Sequence, residues 1–157
     1  MLSSFSLHEF EAADFDALHE LDLACYPPGI SYSRRTLKWF LALRGAECLV
    51  AKNEENRTEV LGFIIAECDG ASGHIITLDV APGTRRSGVG TALLNEMERR
   101  LAARGVSRVE LETATTNEAG VAFWQHHGYR THGVIPRYYL GRLDAFAMAK
   151  NLTNEAN

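Results

Sequence analysis

A mixed α/β sheet with helices packed against it is the fold class this 157-residue sequence predicts. Three observations predict it. Apolar residues change period along the chain, from helical spacing to strict alternation and back. Two early apolar runs joined by a short polar stretch read as an antiparallel hairpin. A long amphipathic helix then stands between two strand-like runs, as a βαβ crossover requires. Length and composition agree: 46% hydrophobic and 23% charged residues suit one globular domain spanning residues 1–157, with a core of its own.

The elements follow in order. A strand is expected ahead of the first helix. From Asp14 to Cys25, Phe15, Leu18, Leu21 and Leu23 form a broad helical stripe, with Asp14 as its cap. Tyr26-Pro27-Pro28-Gly29 stops that helix, since two prolines cannot continue it. Ser33 caps a second helix, Arg34 to Arg44, which Gly45 ends. Cys48 to Ala51 and Val60 to Ala66 read as strands joined by the polar stretch Asn53 to Thr58, and Ile75 to Val80 as a third.

The strongest helical pattern is Val89 to Arg104, where Val89, Leu93, Met97 and Leu101 recur every four residues and Leu94 joins them. Val106 to Thr113 alternates, with Val109 and Leu111 on one face and Glu110 and Glu112 on the other. Asn117 to His127 is a short helix closed by Gly128. Tyr129 to Ile135 and Asp144 to Lys150 are the last strands, flanking a loop that contains Pro136. The order is therefore β-α-α-β-β-β-α-β-α-β-β.

A net charge of −4 argues against a protein whose main task is gripping nucleic acid. Cys25, Cys48 and Cys68 are odd in number and lack CxxC spacing, so free thiols in a reducing compartment fit better than disulfides or structural zinc. The N-terminus lacks a signal-peptide pattern, and no apolar run approaches the length that spans a membrane. A soluble, cytoplasmic protein is expected.

The most informative segment joins a strand to the longest helix: Leu78-Asp79-Val80-Ala81-Pro82-Gly83-Thr84-Arg85-Arg86-Ser87-Gly88-Val89-Gly90-Thr91-Ala92. The first N–H groups of a helix have no intrahelical partners, and its dipole is positive there, so an anion is favoured. Gly88 and Gly90 let a phosphate approach the backbone, and Arg85 and Arg86 add permanent charge. Gly83 and Gly88 have P-loop spacing, but Val89-Gly90 stands where Lys-Ser/Thr is required. Leu93 likewise occupies the place of the third small residue in a dinucleotide fingerprint. Two readings stand on the residues alone: an anion cradle, or a glycine-rich turn that only tightens the connection.

Arg85-x-x-Gly88-x-Gly90-x-Ala92, after the strand ending Leu78-Asp79-Val80, resembles the acyl-CoA pyrophosphate motif of the GNAT family of N-acetyltransferases. Asn117, Ala122-Phe123 and Gly128-Tyr129 are similar to that family's second signature, and the likeness covers most of the chain in the right element order. Glu112-x4-Asn117 and the pair Tyr138-Tyr139 are most similar to RimI-type enzymes, which acetylate protein N-terminal α-amines.

The resemblance implies a mostly antiparallel sheet with two splayed parallel strands at its centre, and direct acetyl transfer from acetyl-CoA to an amine. It implies that amides near Leu78, Asp79 and Val80 hold the acetyl and pantetheine groups. Arg85, Arg86, Ser87, Gly88, Val89, Gly90 and Thr91 would hold the pyrophosphate, and Asn117 would meet the pantetheine arm. Glu112 stands at the family's general-base position, acting through water; as a bare residue it reads equally as a solvated carboxylate on a strand face. Asp79 and His74 are secondary candidates, each with a structural alternative: a partnered Asp79 and a surface His74.

One departure stands out. Trp124 occupies the cofactor-facing position where the family carries a tyrosine that protonates the leaving thiolate, and an indole is no practical proton source. Tyr138, Tyr139 or water is left for that role. The two tyrosines are expected in the loop before the last strand, lining the acceptor cleft, with Tyr26 to Tyr32 as the opposite wall. The acceptor implied is a protein or peptide N-terminus, ribosomal proteins included; a small amine, or a weakly catalytic acyl-CoA-binding module, are the alternatives.

Overall fold

The computed structural model describes residues 4–152. The chain runs β1 (Phe5–Glu9), α1 (Phe15–Cys25), α2 (Arg34–Leu41), β2 (Ala46–Asn53), β3 (Val60–Asp69), β4 (Ser72–Val80), α3 (Val89–Ala103), β5 (Arg108–Ala114), α4 (Glu118–His126), β6 (Arg130–Tyr139) and β7 (Leu143–Asn151). Short 3₁₀ turns at Ala12–Asp14 and Pro82–Thr84 precede α1 and α3. This is the expected order. The strands form one seven-stranded sheet, β1-β2-β3-β4-β5-β7-β6, in which β4 and β5 alone are parallel neighbours.

Each face of the sheet has its own core. On one face Val89, Leu93, Leu94, Met97 and Leu101 of α3 bury against Leu49, Leu61, Ile64, Val109, Leu111 and Met148. On the other, Phe15, Leu18, Leu21 and Leu37 of α1 and α2 pack on Val50, Phe63 and Ile65. Period-two alternation sends Leu49 and Ala51 to one core and Val50 between them to the other. Each fully buried Leu, Ile or Phe contributes roughly 1.5–3 kcal/mol, so the two cores hold both helical layers on the sheet.

Several boundaries differ from the sequence expectation. Asp14 does not cap α1 with its side chain; its Oδ2 accepts from the Glu11 N–H at 2.9 Å and closes the 3₁₀ turn instead. Ser33 does cap α2, accepting from the Thr36 N–H at 3.1 Å. That helix stops at Leu41, because the chain must turn before β2 begins pairing at Ala46. The strands extend beyond their apolar cores wherever a neighbour supplies ladder bonds, as β4 does back to Ser72.

The largest correction concerns Pro136, Tyr138 and Tyr139, which lie in strand β6 rather than in a loop. A proline is tolerated there because β6 is an edge strand and its pairing with β7 breaks between Ile135 and Tyr139.

One irregularity positions the site. The β3–β4 register slips between Ile65 and Ala66, so Ile76 has no partner opposite it. Ile75 packs into the α3 core, Ile76 against the α1 core, and Leu78 and Val80 return to the α3 side. Unbroken alternation from Gly73 and Ile75 would have sent Asp79 into the α3 core. The bulge instead turns Thr77 and Asp79 toward α1.

Candidate active site

β4 and β5 pair only at Ser72–Arg108, Gly73–Val109 and His74–Glu110, and then part. Each remains paired on its outer side, β4 to β3 as far as Val80 and β5 to β7 as far as Ala114. A notch therefore opens in the middle of the sheet. Because the Ala81 N–H donates to Leu61 O at 2.8 Å, ladder alternation turns the amides of Leu78 and Val80 away from β3 and into the notch. Their carbonyls are taken from α1: the Tyr26 hydroxyl donates to Leu78 O at 2.9 Å and the Cys25 thiol to Val80 O at 3.3 Å. Burial pushes the Cys25 thiol up to about 11, so it stays a protonated donor. The sequence marked Cys25 as a free thiol and Tyr26 as part of the acceptor wall, but gave neither a bond to β4.

At the end of β4 the chain enters the glycine-rich turn. Gly88 is the N-cap of α3 with φ of 91°, a left-handed conformation that side chains resist. A Cβ built there meets no atom within 4 Å, so that side of the turn is open. No backbone N–H from Arg85 to Thr91 donates a hydrogen bond to the described residues. Arg85 lies back on Val80 O through its Nε at 3.4 Å, and Arg86 is exposed with φ of 65°. The Ser87 hydroxyl donates to Thr84 O and braces the turn from within. Val89 is buried beneath it, and the Thr91 hydroxyl hydrogen-bonds His127 Nε2 at 3.1 Å. Free amides, the positive pole of α3 and two guanidinium groups form a cradle with the right chemistry for a diphosphate. The residues present fit the cofactor.

On the other side of the notch, Glu112 sits on the face of β5 opposite Leu111, as its alternation predicts. Its Oε1 lies 2.8 Å from His74 Nε2 and accepts from the Tyr138 hydroxyl at 3.3 Å. Burial would raise this carboxyl, but the His74 hydrogen bond and charge, with smaller help from Tyr138 and His132, hold it below its ordinary range. His74 is raised in turn, chiefly by its hydrogen bond to Glu112. It is half-buried and paired, which corrects the expectation of a surface histidine. The Tyr138 and Tyr139 rings meet edge to face at 4.8 Å, and burial raises both phenols, so both keep their protons at neutral pH.

Asp79 is buried and faces Asp22 of α1. It accepts from the Thr77 hydroxyl at 2.5 Å, while Asp22 accepts from the Tyr32 N–H at 2.6 Å. Asp22 Oδ1 and Asp79 Oδ2 have no other partner. Burial, then the hydrogen bond and charge of Asp22, raise Asp79 well above the ordinary carboxyl range, which favours its protonated form beside Asp22. Asp79 is thus a partnered, protonated strut that ties the α1–α2 connection to β4. Above it, the Leu140 side chain, at the β6–β7 turn, lies on Gly29, where a Cβ would overlap it. The two connections on either side of the notch touch.

Two of the expected cofactor residues, Trp124 and Asn117, lie on α4 or at its cap. Trp124 is only 8% exposed, its ring packed in the α3 core 5.3 Å from Tyr129. Its neighbour Phe123 borders the turn, in ordinary contact range of Gly90. Asn117 caps α4, with Oδ1 accepting from the Gly120 N–H at 3.0 Å, which leaves its amide nitrogen as the group open to a ligand.

Known proteins place this geometry. The acetyltransferase (GNAT) family profile matches residues 15–129. An uncharacterized N-acetyltransferase of Methanocaldococcus jannaschii is 28% identical over 149 residues, covering 94% of this chain and 92% of that one. The ribosomal-protein-S18-alanine N-acetyltransferase of Escherichia coli superposes with a TM-score of 0.84 at 21% identity, over 98% of this chain and 99% of that one. A chain of the NatC complex, solved with Gag peptide and CoA, superposes with a TM-score of 0.83 at 21% identity, over 96% and 99%. No helix among the described residues is long and apolar enough to cross a membrane. With the family profile spanning the notch, the cradle and the α4 signature, this chain belongs to the acetyltransferase (GNAT) family and is an acetyl-CoA-dependent N-acetyltransferase.

Proposed function

We propose that this chain, acting as one domain, acetylates the N-terminal α-amine of a protein or peptide. The observation that carries the reading is the acceptor side of the notch. There Glu112 stands among Tyr138, Tyr139 and Tyr32, between two connections bridged by Leu140 on Gly29. Phenol-lined walls suit a peptide end, whose backbone offers hydrogen-bond partners but little charge. Structural neighbours support the same class: one is a ribosomal-protein-S18-alanine N-acetyltransferase, and another was solved with a peptide.

In this reading acetyl-CoA supplies an activated acetyl thioester. The cradle from Arg85 to Thr91 holds the diphosphate, with Arg85 and Arg86 as counter-charges. The inward amides of Leu78 and Val80 bind the acetyl oxygen and the pantetheine arm beside the buried Asp79, and the Asn117 amide nitrogen steadies that arm. Glu112, directly or through one water, takes the proton that the amine must lose. An α-amine with an ordinary pKa of about 7.7–8.0 asks far less of a depressed carboxylate than a lysine at about 10.4. Tyr138 is committed to Glu112 and Trp124 to the core, so Tyr139 is the phenol left to hydrogen-bond the departing sulfur.

Glu67 and Glu110, on either side of His74, favour a second reading, a small polycationic amine. Measuring CoA release with peptides varied at their first two residues, alongside polyamines and free amino acids, tests both. Saturable release with free-ended peptides, abolished by blocking the terminus, is expected. Turnover confined to polyamines would sink the α-amine reading, and tight acetyl-CoA binding without turnover on any acceptor would leave only a binding module.

A further inference from the structure

His74 lies at the last rung joining β4 to β5, the point where the two strands separate. Its ring and the Glu112 side chain share the α1 face of the sheet. Both hydrogen bonds received by Glu112, from His74 Nε2 at 2.8 Å and from the Tyr138 hydroxyl at 3.3 Å, fall on Oε1. Oε2 carries none among the described residues. Around the imidazole stand Glu67 of β3, 3.9 Å from Nδ1, and Glu110 and Glu112 of β5; Tyr138 and His132 of β6 face Glu112.

We propose that His74 is a positioning residue for the acceptor base: it holds Glu112 by Oε1, leaves Oε2 for the amine, and by its own charge decides whether that carboxylate accepts the amine's proton. The inference rests on Glu112 being the base. In the step concerned the amine N–H bond breaks, and the proton forms an O–H bond at Oε2, directly or through water. The nitrogen electron pair forms the new N–C bond, and the sulfur leaves with the C–S electrons. A neutral His74 donating through Nε2 leaves the carboxylate able to take that proton. An imidazolium at 2.8 Å has already supplied the pair with its second proton and makes Glu112 a poorer base. The hydrogen bond to Glu112 and the carboxylates around His74 keep the imidazolium to a higher pH than an isolated histidine.

The test pairs an acceptor-independent readout with a kinetic one. NMR titration of the His74 ring should give a midpoint above the ordinary 6.5 in the native protein and a clearly lower one in E112Q. The pH dependence of kcat, measured with the best acceptor of the panel, should fall on the acid side together with that titration. H74Q keeps an N–H donor without a charge, so its acid limb should move down by at least about one pH unit while its plateau stays within about threefold. H74L keeps neither and should lose roughly tenfold or more of the plateau, with the KM for acetyl-CoA unchanged. Superposed profiles for H74Q and the native enzyme, with E112Q nearly inactive, would overturn this inference and spare the base. Full turnover in E112Q would overturn the base itself and this inference with it.

Discussion

The cradle and the acceptor wall, on the two sides of one notch, are built by opposite means. The cradle is contiguous chain from Ala81 to Thr91, and its working groups are backbone amides at the head of α3. The acceptor wall gathers Tyr32 from the α1–α2 connection, His74 from β4, Glu112 from β5 and Tyr138 and Tyr139 from β6. A site made of backbone keeps its form whatever most of its side chains are, provided the glycine conformations are respected. A site made of side chains depends on register, bulges and neighbouring strands, and each substitution in it retunes the others.

The sharpest way to break the comparison is to damage each side and ask what the other feels. Gly88→Glu puts a side chain at φ of 91° and a negative charge where an anion belongs, so acetyl-CoA binding by calorimetry should be lost. Glu112→Gln should instead cut kcat by roughly a hundredfold or more while the acetyl-CoA Kd stays within about threefold. A collapse of cofactor affinity in E112Q would mean that the two sides are one unit.

A smaller effect is expected at the Asp22–Asp79 strut. Asp79 is raised in the folded protein, so the native state holds a proton that the unfolded chain releases above about pH 4. Stability therefore falls as pH rises from there toward the folded value, at about 1.4 kcal/mol per pH unit while the proton difference lasts. Asp79→Asn keeps an acceptor for Thr77 and a donor for Asp22 but cannot ionise. Its Tm should match the native one near pH 4 and exceed it by a margin that grows as pH rises toward the folded value, about 3–5 °C per unit of that window. A margin that does not change with pH would mean that Asp79 is not held protonated in the folded protein.

The smallest effect is at Tyr26. Tyr26→Phe deletes the hydroxyl that donates to Leu78 O and should cost about 1 kcal/mol, read as a drop in Tm of roughly 2–4 °C. An unchanged Tm would mean that the Tyr26 hydroxyl adds nothing net to the other contacts that hold α1 on β4.

Legibility followed the same division. The stripe of α3, the glycine turn, the crossover and the inward face of β5 were all readable, because each depends on spacing within a few residues. The partner of Glu112 was not, because His74 reaches it through a parallel register that no local pattern encodes. Asp79 read as a secondary site candidate or a partnered strut, but its partner, Asp22, was fixed only by the bulge at Ile76 that turns it toward α1. Pro136 suggested a loop and hid the strand that carries Tyr138 and Tyr139, a substitution only an edge position tolerates. Trp124 aligned with a family tyrosine, yet its environment is the hydrophobic core.

The amino-acid order by itself determined the element sequence, both helical faces and the anion-binding turn, since these follow from periodicity, capping and the conformations open to glycine. The tertiary structure alone decided which titratable side chains would meet. Proton affinities at this site are set by distances between residues on different strands and helices, and those distances exist only once the sheet has closed its register.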